Sequence, residues 1–225
     1  MAERMEFALG GLHDYVYALL CRRSPSPSGM RLLELGAGSG TFSDRLTADG
    51  WDVHAVDIDD GSYGRFAGAA AFTPLDLNDP SWSNELPGSF DVVVAIETIE
   101  HLESPTGFLR QVRQCLRDDG VAILTTPNVD NFASRLMFMR SGQLRGASER
   151  DDPGHISPIL GWTFETRLLP RAGLALDEHL LFPPGGHAPA AGLKRRTLRA
   201  ISPVLDRLGL AGDIHVYVLS PAMAL

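Results

Sequence analysis

The chain is poor in cysteine, has no long apolar run and carries no excess of positive charge. Cys21 and Cys115 are its two cysteines in 225 residues. Two thiols so far apart build no disulfide framework and agree with a reducing compartment. No stretch reaches the roughly 18 consecutive apolar residues that suggest a bilayer-spanning helix, so no membrane span is expected. The opening MAERMEFALG contains acids and lacks the apolar core of a secretory signal. A cytoplasmic location is the expectation. Acidic residues outnumber basic ones by 28 to 20, a formal charge of -8. That excess repels phosphate backbones and speaks against nucleic acid as a partner. The one basic run, LKRRTLR at 193–199, has Leu193, Leu198 and Ile201 among its charges and reads as the solvated face of a helix.

What is present suits one globular domain over 1–225, since 44% hydrophobic residues in a chain of this length can fill a single core. Residues 1–29 read as an N-terminal helix and linker, with Phe7, Leu12, Tyr15, Val16, Leu19 and Leu20 at helical spacing before the breaker SPSPSG. Strands are expected at 30–35, 53–58, 71–77, 90–96 and 121–126. A helix starts at Ser104-Pro105, buries Phe108, Leu109, Val112 and Leu116, and ends at Gly120. Strands alternating with helices predict a mostly parallel sheet covered on both faces. Residues 128–158 break the rhythm with a helix at 131–140 and a polar stretch, placed to act as a lid insertion after strand five. A helix near 159–172, a strand near 174–182, a helix near 192–209 and a last strand, IHVYVLS, complete the chain.

The strongest local signal is LLELGAGSGT, in which Gly36, Gly38 and Gly40 follow the first strand and open a helix. Glycine lets the backbone turn sharply and approach a ligand closely. A dinucleotide fingerprint would place its third glycine one residue later, where Thr41 stands. Glu34, just before the bend, would oppose a pyrophosphate and suits a cation. Asp57, 23 residues on, ends the second strand, where a carboxylate can accept from ribose hydroxyls.

The pattern E-x-G-x-G-x-G resembles motif I of class I S-adenosylmethionine-dependent methyltransferases. Asp57-Ile58, Asp76-Leu77, FDVVVAIETIEHL and VAILTTPN follow in that family's order, so the resemblance covers 30–128. It implies a Rossmann-like α/β fold with a seven-stranded sheet, and S-adenosyl-L-methionine as cofactor. It also implies that Glu34, Gly36, Ala37, Gly38, Gly40, Asp57, Ile58, Asp76, Leu77 and Ile96 form the cofactor site.

Strand four delivers Glu97, Glu100 and His101 to the carboxyl edge of the sheet, where open α/β sheets bind ligands. Their i, i+3, i+4 spacing would gather them on one side of a helical turn. A hydroxyl acceptor is a poor nucleophile and wants a base or a metal. His155, in DPGHISP at the end of the lid, joins His101 and Glu97 as catalytic candidates. TPN, SRLMFM and HISP are similar to bacterial small-molecule and glycan O-methyltransferases. The strand-four turn also resembles the ubiquinone-biosynthesis O-methyltransferases. Small-RNA 3′-terminal 2′-O-methyltransferases carry E-x-x-E-H at this turn, and that resemblance implies a divalent metal on Glu97, Glu100, His101 and His155. The opposing reading makes Glu100 and His101 a structural helix start. Phe132, Leu136, Met137, Phe138 and Met139 suit an acceptor wall, a homodimer contact or core packing.

The expected activity is methyl transfer to a hydroxyl of a small molecule, a sugar, glycan or secondary metabolite. A metal-dependent RNA-end enzyme and a non-catalytic cofactor-binding partner protein are the alternatives.

Overall fold

The computed structural model describes residues 8–24, 27–58, 70–147, 153–184, 204, 207 and 210–222. The helix expected at 192–209 and the Pro/Gly loop before it lie almost wholly outside the described residues, as does Phe7. In chain order the elements begin with α1 (Leu12–Arg23), β1 (Arg31–Leu35), α2 (Thr41–Ala48), β2 (Asp52–Asp57) and β3 (Ala71–Pro74). A 3-10 turn at Trp82–Glu85 leads to β4 (Phe90–Ala95) and a second 3-10 turn at Ile99–His101. Then come α3 (Pro105–Cys115), β5 (Leu116–Pro127) and α4 (Phe132–Ser141). The short helices α5 (Gly161–Thr163) and α6 (Leu169–Ala172) flank a π turn at Phe164–Leu168, and β6 (Leu174–Phe182) and β7 (Ile214–Pro221) end the chain.

The seven strands form one sheet in the order β3-β2-β1-β4-β5-β7-β6. β1 to β5 are parallel, and β7 runs antiparallel to both β5 and β6. The alternation of side chains along each strand splits the core into two layers. Leu33, Leu35, Val93, Leu124 and Tyr217 face one layer, completed by Phe108, Leu109 and Val112 of α3 and by Phe164 and Leu169. Leu32, Val92, Val94, Ile123 and Val216 face the other, completed by Leu12, Val16, Leu19 and Leu20 of α1 and by Phe42 and Leu46 of α2. Strands buried on both faces explain why β4 reads as a continuous apolar run.

Two expectations are corrected. Helix α3 stops at Cys115, five residues before Gly120, because Leu116 turns extended and pairs with Phe90 on β4. Gly120 lies instead inside β5, where an added Cβ would sit 3.1 Å from the Asp91 carbonyl. Nor is α4 a core helix: Ser134 is its one buried residue, while Leu136, Phe138 and Met139 are exposed. Ser104 caps α3 as expected, its hydroxyl accepting from the Gly107 amide at 3.2 Å.

Candidate cofactor and acceptor site

The bend after β1 needs its glycines. Gly36, Gly38 and Gly40 have φ of 75°, 54° and 77°, in the left-handed region. A Cβ on Gly36 would overlap the Thr98 side chain, whose hydroxyl donates to the Leu35 carbonyl at 3.1 Å. Gly36 and Ala37 donate their amides to the Val56 carbonyl at 2.9 and 3.0 Å, pinning the bend against β2. The Asp57 Oδ2 accepts from the Gly38 amide at 2.7 Å. Asp57 therefore fastens the bend while facing the cavity beside it.

That cavity holds about 370 Å³ and runs along the carboxyl edge of the sheet. Gly36, Asp57, Ile58, Leu75, Asp76, Leu77 and Asn78 line one part, and Glu97, Thr98, His101 and Leu102 the other. Of the residues expected to hold the cofactor, Gly36, Asp57, Ile58, Asp76 and Leu77 meet in this wall. Glu34, Ala37, Gly38, Gly40 and Ile96 do not. Ala37 packs on Ala55, and Ile96 against the α1-side layer. Glu34 lies buried beneath the bend and accepts from the Ser43 hydroxyl of α2. Burial pushes its carboxyl up to about 8, against the Ser43 hydrogen bond and with help from the Asp57 and Asp44 charges. Leu75, Asn78, Thr98 and Leu102 escaped the sequence reading. The signal for Asn78 was an Asx turn: its amide donates to Asp76 Oδ1 at 2.9 Å. Its own Oδ1 accepts from the Glu103 amide, tying the two parts of the wall together.

Beyond β4 the chain does not make one regular turn. Glu97 has φ 52°, the single described non-glycine residue with positive φ, and the 3-10 turn begins only at Ile99. Its amide donates to Thr125 Oγ1 at 3.0 Å and to the Thr125 carbonyl at 3.3 Å. Glu97 is partly exposed as a residue, yet its Oε1 is sealed from solvent without a hydrogen-bond partner among the described residues. Burial pushes the carboxyl up to about 7.

The strained residue leaves the other three candidates as a separate group. Glu100 is buried and its Oε2 accepts from the Thr126 hydroxyl at 3.0 Å. Ser157 brings the end of the 128–158 insertion to this turn, donating its amide to the Glu100 carbonyl at 2.9 Å and its hydroxyl to the Leu102 carbonyl at 2.6 Å. The His101 and His155 ring centroids are then 4.6 Å apart, edge to face. His155 Nδ1 lies 2.5 Å from the Gly146 carbonyl, which only accepts. Nδ1 therefore carries a proton, which leaves Nε2 as the ring atom able to act as a ligand or a base. One ligand atom each from Glu100, His101 and His155 fall within 4.8 Å of one another. A donor set of two imidazoles and a carboxylate fits a divalent transition metal. Glu97 stands outside it, because its left-handed backbone breaks the turn that would have stacked it over Glu100.

The methyltransferase domain family matches residues 9–179. The chain is 34% identical over 105 residues to a ubiquinone biosynthesis O-methyltransferase of Caulobacter sp. strain K31, a match that spans 44% of this chain and 42% of that relative. A Pseudomonas aeruginosa protein of the same name is 22% identical over 199 residues, covering 84% of this chain and 76% of the other. A crystal structure of a SAM-dependent methyltransferase from Archaeoglobus fulgidus overlays with a TM-score of 0.59 at 19% identity, covering 92% and 93% of the two chains. With the sheet order, the glycine bend and the matched span in agreement, the chain belongs to the methyltransferase domain family and has the class I S-adenosylmethionine-dependent fold.

Proposed function

We propose that this protein transfers a methyl group from S-adenosyl-L-methionine to a hydroxyl of a small molecule, a sugar, glycan or secondary metabolite. The observation that carries this reading is a cavity that joins Asp57 and Asp76 to Glu97 and His101. The residues present fit the cofactor: the bend can approach it closely because Gly36 has no Cβ, the Asp57 carboxylate faces where ribose hydroxyls would lie, and Ile58 and Leu77 offer apolar surface to an adenine. When bound, the cofactor supplies an activated methyl for in-line displacement. The chain's own task is to align the acceptor and take its proton. Glu97 is suited to that, since it lines the cavity beside His101 and burial raises its proton affinity. His101 and His155 flank the same end. The names of the two curated relatives support oxygen as the methylated atom.

The test is a transfer assay with methyl-labelled cofactor against sugars, phenols and short RNAs, alongside calorimetry with S-adenosylhomocysteine. Label on a small hydroxyl acceptor is expected. Glu97→Gln should bind the demethylated product normally while turnover falls about 10²–10⁴-fold. Because the base works unprotonated, wild-type turnover should rise with pH through about 7. Absence of S-adenosylhomocysteine binding would sink the reading.

The Glu100, His101 and His155 group favours a second reading, in which these side chains would hold a divalent metal that lowers the pKa of an acceptor hydroxyl. Metal analysis of the purified protein and Mn²⁺ titration of His155→Ala distinguish it from a metal-free base. Label on RNA 3′ ends alone, lost with chelator, would instead favour the RNA-end enzyme.

A further inference from the structure

Thr126 on β5 and Glu100 in the 3-10 turn are each 1% exposed. Burying a hydroxyl costs free energy unless it is hydrogen-bonded, and burying a carboxylate costs far more. Valine has the shape of threonine without the hydroxyl, and an apolar residue would close the turn at no such cost. The two side chains instead serve each other, although 26 residues of chain separate them: Thr126 Oγ1 donates to Glu100 Oε2 at 3.0 Å. The preceding Thr125 has a different partner, because successive strand residues point to opposite faces. Its hydroxyl takes the Glu97 amide.

The next residue of β5 seats a second member of the group. Gly146 has φ of 85°, and a Cβ on it would stand 3.1 Å from the Pro127 Cβ. Its backbone thus lies close against the end of β5, where a larger residue would push it away. From there its carbonyl accepts from His155 Nδ1 at 2.5 Å. With Nδ1 engaged, Nε2 is the ring atom left to act as a ligand. Two residues further on, Ser157 fastens the chain to the Glu100 and Leu102 carbonyls. Each bond removes freedom that would otherwise be lost when a ligand binds.

Imidazoles and carboxylates that ligate a metal are oriented by hydrogen bonds from outside the ligand set, and losing such a partner costs roughly 10–100-fold in metal affinity. Glu100, His101 and His155 bring one ligand atom each within 4.8 Å of one another. We propose that Thr126 and Gly146 are positioning residues of this group, the hydroxyl fixing the Glu100 carboxylate and the carbonyl fixing the His155 ring, so that the three side chains converge on one divalent cation before any acceptor arrives. Two imidazoles and one carboxylate favour a transition ion such as Co²⁺ or Zn²⁺ over Mg²⁺, which prefers oxygen ligands. Three protein ligands leave open a position for an acceptor oxygen. The inference rests on the metal-holding reading of the group and is independent of which acceptor is used.

Calorimetry of the chelator-treated protein with Co²⁺ tests it, with the visible absorption of the bound ion as a second readout. The wild type should bind one ion. Thr126→Val should weaken binding roughly 10–100-fold and alter the absorption, and Thr126→Ser, which keeps the donor, should restore both. Gly146→Ala should weaken binding as well and, in metal-free imidazole ¹⁵N spectra, shift His155 away from its Nδ1-protonated form. Urea unfolding of the metal-free variants establishes that each is folded, and their S-adenosylhomocysteine affinity should match the wild type. No Co²⁺ binding by the wild type removes the metal-holding reading, and the positioning role with it. Wild-type binding that a folded Thr126→Val variant equals, or a loss that Thr126→Ser does not reverse, overturns the positioning role alone.

Discussion

Glu97 hangs from Thr125 by a single amide that reaches both the hydroxyl, at 3.0 Å, and the carbonyl, at 3.3 Å, of the same residue. The clamp holds a left-handed glutamate, a backbone state costing on the order of 1–3 kcal/mol. Thr125→Val keeps the shape and removes one acceptor. It should lower unfolding free energy by about 1 kcal/mol and reduce turnover more than cofactor affinity, as the carboxyl loses its fixed position. Glu97→Gly should do the reverse to stability. It relieves the strain and the buried carboxyl, raising the midpoint of chemical denaturation while turnover collapses.

The bend after β1 predicts a local intolerance. Gly36→Ala combines a positive φ with overlap of the Thr98 side chain. Calorimetry should show S-adenosylhomocysteine affinity falling at least about tenfold, roughly 1.4 kcal/mol. Thr98→Ser in the same background should restore part of it, because the overlap includes the Thr98 methyl.

Glu34 sets a pH dependence of stability. Its folded carboxyl is raised to about 8 by burial, above its unfolded value. The folded state thus binds more protons than the unfolded one between those two values, and stability falls as pH rises through that window. Above it the loss is complete and the curve levels. Glu34→Gln should flatten the decline in urea titrations run at successive pH values, and Ser43→Ala, which removes the opposing donor, should deepen it.

Tyr217 carries a buried hydroxyl with no hydrogen-bond partner among the described residues. Tyr217→Phe should therefore be neutral or stabilising by up to about 1 kcal/mol in denaturant unfolding. A loss of stability in that variant would mean that the hydroxyl is hydrogen-bonded after all.

The sequence disclosed the sheet because its strands are apolar on both faces and its connections short, a periodicity that survives without any tertiary knowledge. It also disclosed the wall residues Asp57 and Asp76, which stand at strand ends. It misplaced the end of α3, where Leu116 suits a helical stripe as well as a strand; pairing with Phe90 decided the matter. It treated Glu97, Glu100 and His101 as one helical face, since nothing in the residue types announces a left-handed glutamate.

The bond between Asp57 and the Gly38 amide has a bearing on how variants of this site should be interpreted. One oxygen of that carboxylate keeps the glycine bend in shape, so altering Asp57 deforms the bend as well as removing the carboxylate proposed to accept from sugar hydroxyls. Affinity lost in an Asp57 variant will overstate what the ribose contact is worth, and only a matched pair of ligands, with and without those hydroxyls, can separate the two.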